Sequence, residues 1–391
     1  MSVKDVYLDV AGRMHSLYEE LILNPPSGYR FIKAGSSWDK ISRVVAGVGA
    51  AYSLQQRVLN EMFPVNLAKA YLERFKKPPK GTDLTYAAGH LVFRKEPWVV
   101  DFEFVTQLAG YSIKHFKRYR RIIERTLSSE HCRGIICWTD AGKKTALSNL
   151  DCQGFANKVD VVPLAVHKKS FVKEYGDKGR VKLLFVGSAN ILGEFEYKGG
   201  NEVIEAFLIL REKYPDLQLV IRSDMPQESK IKCKKLRNVK IIEGIIPREQ
   251  LEQEFVSADI FLFPSHSTPG LAILEAMSFG LPVITTDVWA NPEMVQNEKT
   301  GFVIERAKRV PYYTENFIPN WNYHSSSRFM RAVRATDPTV VEELVEKTSI
   351  LIEDEELRRR MGKAGRQEIE TGRFSLEKRN QKLKEIFDKA T

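Results

Sequence analysis

"TPGLAILEAMSFGLPVITTD", residues 268–287, is the stretch on which the reading of the fold turns. It opens on Pro269 and Gly270 and runs apolar through Leu271, Ile273 and Leu274, with one carboxylate, Glu275, inside that run. A second apolar run, Leu281 to Ile284, ends in Thr285, Thr286 and Asp287. A turn, a short apolar helix and a continuous apolar strand form a unit of a parallel sheet buried on both faces. The carboxylate inside the helix is the feature that needs a chemical reason.

The same alternation extends to both sides. "VKLLFVGS" (181–188), "LQLVIRS" (217–223), "NVKIIEG" (238–244) and "DIFLFPS" (259–265) read as strands. "GGNEVIEAFLILREKY" (199–214) and "PREQLEQEFVSA" (247–258) read as the helices between them, the second with Pro in its first turn. Towards the N-terminus the pattern is less regular. "DLTYAAGHLVF" (83–93), "PWVVDFEF" (97–104), "CRGIICWT" (132–139) and "KVDVVPLAV" (158–166) read as strands, and "YSIKHFKRYRRIIERTL" (111–127) as a very basic helix. A polar, glycine-containing segment at 167–180 reads as a linker. The tail from 354 reads as two polar helices broken at Gly372, and 306–337, without periodicity, as an insertion. The organisation expected is α/β: a domain over 1–166, a linker over 167–180, a second domain over 181–370, and a terminal segment, 371–391, crossing back to the first.

Composition narrows the class. The chain has 391 residues, 43% hydrophobic and 28% charged, enough for two globular domains. The N-terminus lacks the basic start and apolar core of a signal peptide, and no apolar run approaches the ~20 residues that span a bilayer. The four cysteines match no metal spacing and read as reduced thiols of a cytoplasmic protein. The net charge of +10 points to an anionic partner.

In open parallel sheets, ligands bind beyond the carboxyl ends of the strands. That rule selects Gly187, Ser188, Arg222, Ser223, Glu243, Gly244, Ser265, His266 and Asp287. The Pro-Gly turn exposes the N–H groups of Gly270, Leu271 and Ala272, which suit a phosphate. One turn on, the Glu275 carboxylate suits a ribose diol. Lys198, before Gly199 and Gly200, suits a diphosphate as a point charge. Either side chain alone reads more readily as a solvated surface residue. Their convergence on strand ends favours a site.

"FPSHSTPGLAILEAMSFGLPVITTDVWANPEMVQNEKTGFVI" resembles the donor-binding signature of retaining GT-B glycosyltransferases, specifically glycosyltransferase family 4. "LLFVGS…YKGGNEVIEAFLILREKYPDLQLVI", "NVKIIEGIIPREQLEQEFVSADIFLFPS" and "ELRRRMGKAGRQEIETGRFSLEK" resemble further blocks in the family's order, so the resemblance covers most of 158–387. It implies two Rossmann-like domains facing across a cleft. It also implies a nucleotide-diphosphate sugar as donor, no cofactor, and a glycan or lipid-linked acceptor. Three positions depart from the family: Ser267 stands for the first Glu of its Glu-x7-Glu element, Ser188 for an arginine, and Glu103 for a histidine that touches the sugar. The nucleotide end is thus intact and the sugar end altered.

The residues expected to act at the reacting centre are Lys198, Glu103 and His266. Gly187, Ser188, Ser223, Glu243, Gly244, Ser267, Thr268, Gly270, Leu271, Ala272 and Glu275 are expected around the donor, with His90 and Asp101 on the acceptor side. The positive charge at the leaving group comes from Lys198 and a helix start, so no metal is expected; "DFE" (101–103) only faintly echoes a metal-binding Asp-x-Asp. Lys114, Lys117, Arg118, Arg120, Arg121 and Arg125 form a basic face suited to an anionic membrane surface on its cytoplasmic side. No nucleic-acid module is visible. A nucleotide-sugar-binding protein with lost or altered turnover is the alternative that Ser188 and Ser267 motivate.

Overall fold

The computed structural model describes residues 3–10, 16–33, 62–171, 173, 180–187, 193–267, 270–320 and 327–391. The strands are β1 (Lys4–Val10), β2 (Tyr29–Ile32), β3 (Thr82–Ala88), β4 (Trp98–Phe102), β5 (Cys132–Cys137), β6 (Val159–Val161), β7 (Lys182–Val186), β8 (Gln218–Arg222), β9 (Val239–Ile242), β10 (Ile260–Phe263), β11 (Val283–Thr286) and β12 (Gly301–Ile304). The helices are α1 (Ser16–Leu23), α2 (Val65–Glu73), α3 (Ile113–Ser128), α4 (Asp140–Asn149), α5 (Glu194–Tyr197), α6 (Gly200–Lys213), α7 (Gln227–Lys234), α8 (Arg248–Ser257), α9 (Leu271–Ser278), α10 (Asn291–Met294), α11 (Ser327–Arg334), α12 (Pro338–Glu353), α13 (Glu355–Glu370) and α14 (Leu376–Ala390).

They form two compact units. One comprises Met1–Ala165, Tyr313–His324 and Leu376–Thr391; the other comprises Val166–Tyr312 and Ser325–Ser375. Each is built on a six-stranded sheet, β2-β1-β3-β4-β5-β6 in the first and β12-β11-β10-β7-β8-β9 in the second. Every pairing in both sheets is parallel. Strand order reverses between β1 and β3 in the first sheet and between β7 and β10 in the second. These switch points are where doubly wound sheets open a crevice for ligands.

The second unit follows the apolar pattern of its sequence closely. Every residue of β10 and β11 is buried, and α9 buries Ile273, Leu274, Ala276 and Met277 while Glu275 stays half-exposed. The first unit holds two strands that the sequence reading passes over, β1 and β2. Carboxylates at Asp5 and Asp9 break the apolar signal of "KDVYLDV", but both find cations. Arg30 binds Asp5 through two bonds of 2.9 Å, and Arg94 binds Asp9 at 3.0 Å. Segment 306–337 is also not a single insertion. Tyr313–His324 belongs to the first unit, where Ile318 joins the core around Trp98 and Phe102 and the Asn316 carbonyl accepts from Asn149 Nδ2 at 3.0 Å.

α14 packs within the first unit. Phe387 meets the rings of Tyr29, Phe31 and Tyr86 edge-on, with centroids 5.2, 6.2 and 6.1 Å away. Among the described residues, no helix is long and apolar enough to cross a membrane.

Candidate functional site

The second switch point is assembled by a turn only glycine can make. Gly199 sits at φ +81°, and a Cβ there would lie 2.2 Å from the Pro264 carbonyl oxygen. Glycine lets the Lys198-Gly199-Gly200 turn press onto the end of β10. Lys198 then reaches Ser267 Oγ at 3.1 Å and lies 4.0 Å from Glu194 and 5.4 Å from the Phe263 ring centre. Its side chain is only 11% exposed. An ammonium withdrawn from water and placed at a strand end interacts strongly with any anion that arrives there. Beside it, α9 begins at Leu271 with Gly270 as its N-cap, and among the described residues no side-chain cap hydrogen bond is made there.

His266 is turned inward. The sequence places it before the phosphate turn as a reacting-centre residue, but its ring is buried between two partners. Nε2 lies 2.9 Å from Glu202 Oε1 and Nδ1 2.9 Å from Tyr312 Oη. Burial, and then the Glu202 charge, push the Tyr312 hydroxyl far above its ordinary pKa. With both ring nitrogens occupied, His266 anchors the loop that carries Ser267 and is not aimed at a reacting atom. Thr286 Oγ1 and Ser265 Oγ bind the same loop through its carbonyls.

The β8 and β9 ends supply the next wall. A Cβ on Gly187 would lie 2.4 Å from Ser223 Oγ, so those strand ends are close-packed. Arg222 donates to the carbonyls of Gly187 and Gly244 at 3.3 and 3.2 Å, and Asp224 accepts from the Gly244 N–H at 2.8 Å. Gly244 needs its φ of +70° for this turn. Glu243 pairs with Lys230 at 2.8 Å. Glu275 Oε1 pairs with Arg248 Nη1 at 2.7 Å, and Arg248 also holds Glu252 at 2.9 Å.

In the first unit, the acceptor-side candidates fall in different surroundings. Asp101 is fully buried, where Tyr18 Oη, Trp138 Nε1 and the Gly89 N–H donate to it at 3.1, 2.8 and 3.2 Å. Burial pushes its pKa up to about 6 against these lowering bonds. It is an interior residue, not a surface for an acceptor. Glu103 is half-exposed after β4, its N–H bound to Gln107 Oε1 at 2.8 Å. His90 is buried, with Nδ1 3.2 Å from the Ala88 carbonyl.

Ser188 and Thr268, both expected at the donor, lie outside the described residues. Of the flanking groups, Arg248, Glu202 and Tyr312 escape the sequence reading because each meets its partner across a long separation. Only Pro247, starting α8 beside the strand ends, marks where Arg248 could have been sought.

Paired parallel-sheet domains of this kind define the GT-B fold. A sequence model described as glycosyl transferases group 1 matches residues 180–314. Among curated proteins, the chain is 27% identical over 176 residues to sulfoquinovosyl transferase SQD2 of Arabidopsis thaliana, covering 44% of this chain and 28% of that protein. It is 26% identical over 167 residues to D-inositol 3-phosphate glycosyltransferase of Pseudarthrobacter chlorophenolicus, covering 38% of this chain and 39% of that one. The shared part is thus well under half of either relative. Among solved structures, Anabaena HepE in complex with UDP and glucose superposes with a TM-score of 0.60 at 15% identity, over 99% of both chains. WaaG, a glycosyltransferase involved in lipopolysaccharide biosynthesis, gives 0.56 at 16% identity over 98% of this chain and 99% of its own.

Proposed function

We propose that this chain is a retaining glycosyltransferase that moves a sugar from a nucleotide-diphosphate donor to a glycan, glycolipid or lipid-linked acceptor. The observation that carries this reading is Lys198, nearly withdrawn from water beside Ser267 at the second switch point. The group 1 match over 180–314 supports it, since that span contains every donor-side candidate from Gly187 to Glu275.

In this mechanism the bond from the anomeric carbon to the diphosphate breaks as the ring becomes oxocarbenium-like. The acceptor oxygen bonds to the same face, and its proton leaves with the phosphate. Negative charge growing on the leaving oxygen is what Lys198 and the start of α9 stabilise, the kind of pre-aimed charge that is usually the largest catalytic term. Glu275, steered by Arg248, accepts the ribose hydroxyls. Gly187, Ser223, Glu243 and Gly244 line the nucleotide. Ser267 meets the sugar, where it replaces a group that the resembled family uses. No ion is required at the leaving group, and the exposed basic face of α3 holds the protein on an anionic membrane.

Incubation with a panel of nucleotide sugars, read by mass spectrometry for nucleotide release, tests the reading. Release that persists in EDTA is expected. Absence of release with any donor, despite measurable binding, favours the second reading: a nucleotide-sugar-binding protein with lost or altered turnover, which Ser188 and Ser267 motivate.

A further inference from the structure

The first switch point joins His90, expected on the acceptor side, to two carboxylates that have no part in the proposed transfer. Asp9, next to last in β1, His90, two residues beyond β3, and Glu73, the last residue of α2, bring one nitrogen and two carboxylate oxygens within 4.8 Å of one another. Asp9 and His90 are buried, and Glu73 is 19% exposed at its side chain. His90 Nδ1 lies 3.2 Å from the Ala88 carbonyl, which can only accept, so that nitrogen carries the proton. Nε2 is then turned towards Asp9. It has no hydrogen-bond partner although it is buried, and it stands 3.6 Å from Asp9 Oδ1.

That separation is informative. It is too long for an N–H···O hydrogen bond. Two ligands of one tetrahedral ion, each bound at about 2.0–2.1 Å, lie roughly 3.4 Å apart. An unprotonated imidazole nitrogen and a carboxylate oxygen at that separation can share one cation. The outer contacts are those that orient metal ligands. The Ala88 carbonyl fixes the His90 tautomer. Arg94 binds the other oxygen of Asp9 at 3.0 Å and is itself held by Glu96. Lys76 and Lys69 stand 3.6 and 3.9 Å from Glu73.

We infer that Asp9, Glu73 and His90 bind a divalent transition-metal ion of the zinc type at the carboxyl ends of β1 and β3. Three protein ligands leave a coordination position for water or a substrate oxygen. The cluster lies in the first unit and shares no residue with the candidate donor site of the second, and the inference does not rest on the transfer reaction.

The test strips the full-length protein with EDTA and titrates it with Zn2+ by calorimetry, then with Co2+ by visible absorption. Wild type is expected to take one Zn2+ per chain, and the Co2+ spectrum to show tetrahedral nitrogen and oxygen ligation without the sulfur band that cysteine ligands give. His90→Gln and Glu73→Gln should each weaken Zn2+ binding at least ten-fold. Glu73 is a half-exposed residue at a helix end, so its variant keeps the measurement meaningful if His90→Gln does not fold. The inference is overturned if wild type takes up no stoichiometric Zn2+, or if both folded variants bind it as wild type does.

Discussion

The two switch points use the same topology for opposite chemistry. In the second sheet, the reversal between β7 and β10 gathers a shielded lysine, close-packed glycines and a helix start, all suited to an anion. In the first sheet, the reversal between β1 and β3 gathers two carboxylates and a histidine, the set from which a cation site is inferred. A parallel sheet fixes where ligands go. The residues placed at its strand ends fix which sign of charge they carry.

The comparison breaks first at Lys198. Lys198→Ala is expected to lower kcat by about 10²–10³, the range found when one pre-aimed charge or donor is removed. A turnover within a few-fold of wild type in the folded variant would remove this lysine from the leaving-group role.

The first unit should answer to charge at a different surface. Lys114, Lys117, Arg118, Arg120, Arg121 and Arg125 are all exposed on α3. Each basic residue near an anionic bilayer contributes about 1 kcal/mol. Changing Arg118, Arg120 and Arg121 together to Glu should therefore weaken binding to anionic liposomes by about 100-fold at low salt, and by less at high salt. If wild type ignores such liposomes at low salt, α3 is a solvated face only.

Asp101 supplies a pH signature confined to the first unit. Its folded pKa of about 6 lies above the unfolded value, so the protonated form favours folding. Its contribution is complete below about pH 4 and lost as pH rises through 6, which amounts to about 2–3 kcal/mol. In denaturant unfolding, the stability gap between wild type and Asp101→Asn should move against wild type by that amount between pH 4 and 7.5. A gap independent of pH would show that Asp101 stays ionised.

Glu275 gives the smallest effect and the sharpest assignment. Losing its bonds to a ribose should weaken UDP binding by about ten-fold in Glu275→Ala, and by less in Glu275→Gln. Calorimetric titration separates this from a role in stability alone, for which melting temperature falls while UDP affinity stays at the wild-type value.

Much of this was legible in the sequence, and what was not shares one cause. β7 to β11 could be read because each carries an apolar run bounded by turn residues. β1 and β2 could not, since Asp5 and Asp9 are rendered acceptable only by Arg30 and Arg94, far away in the chain. The site divides in the same way. Lys198, Gly199 and the Pro-Gly turn announce themselves locally. Arg248 behind Glu275 and Glu202 behind His266 are pairings 27 and 64 residues apart, and local pattern carries no record of them. Asp101 looked like a strand-end polar group because nothing nearby in sequence names Tyr18 as its partner.

The seat of Phe387 against Tyr29, Phe31 and Tyr86 has a consequence for the order of synthesis. A ribosome emits the three receiving aromatics early, and then the whole second unit, before α14 emerges to cover them. The second sheet, with β7 to β12 continuous in the chain, can close while translation proceeds. The first must wait with part of its apolar face bare, so the half of the molecule that is made first is the half that finishes last.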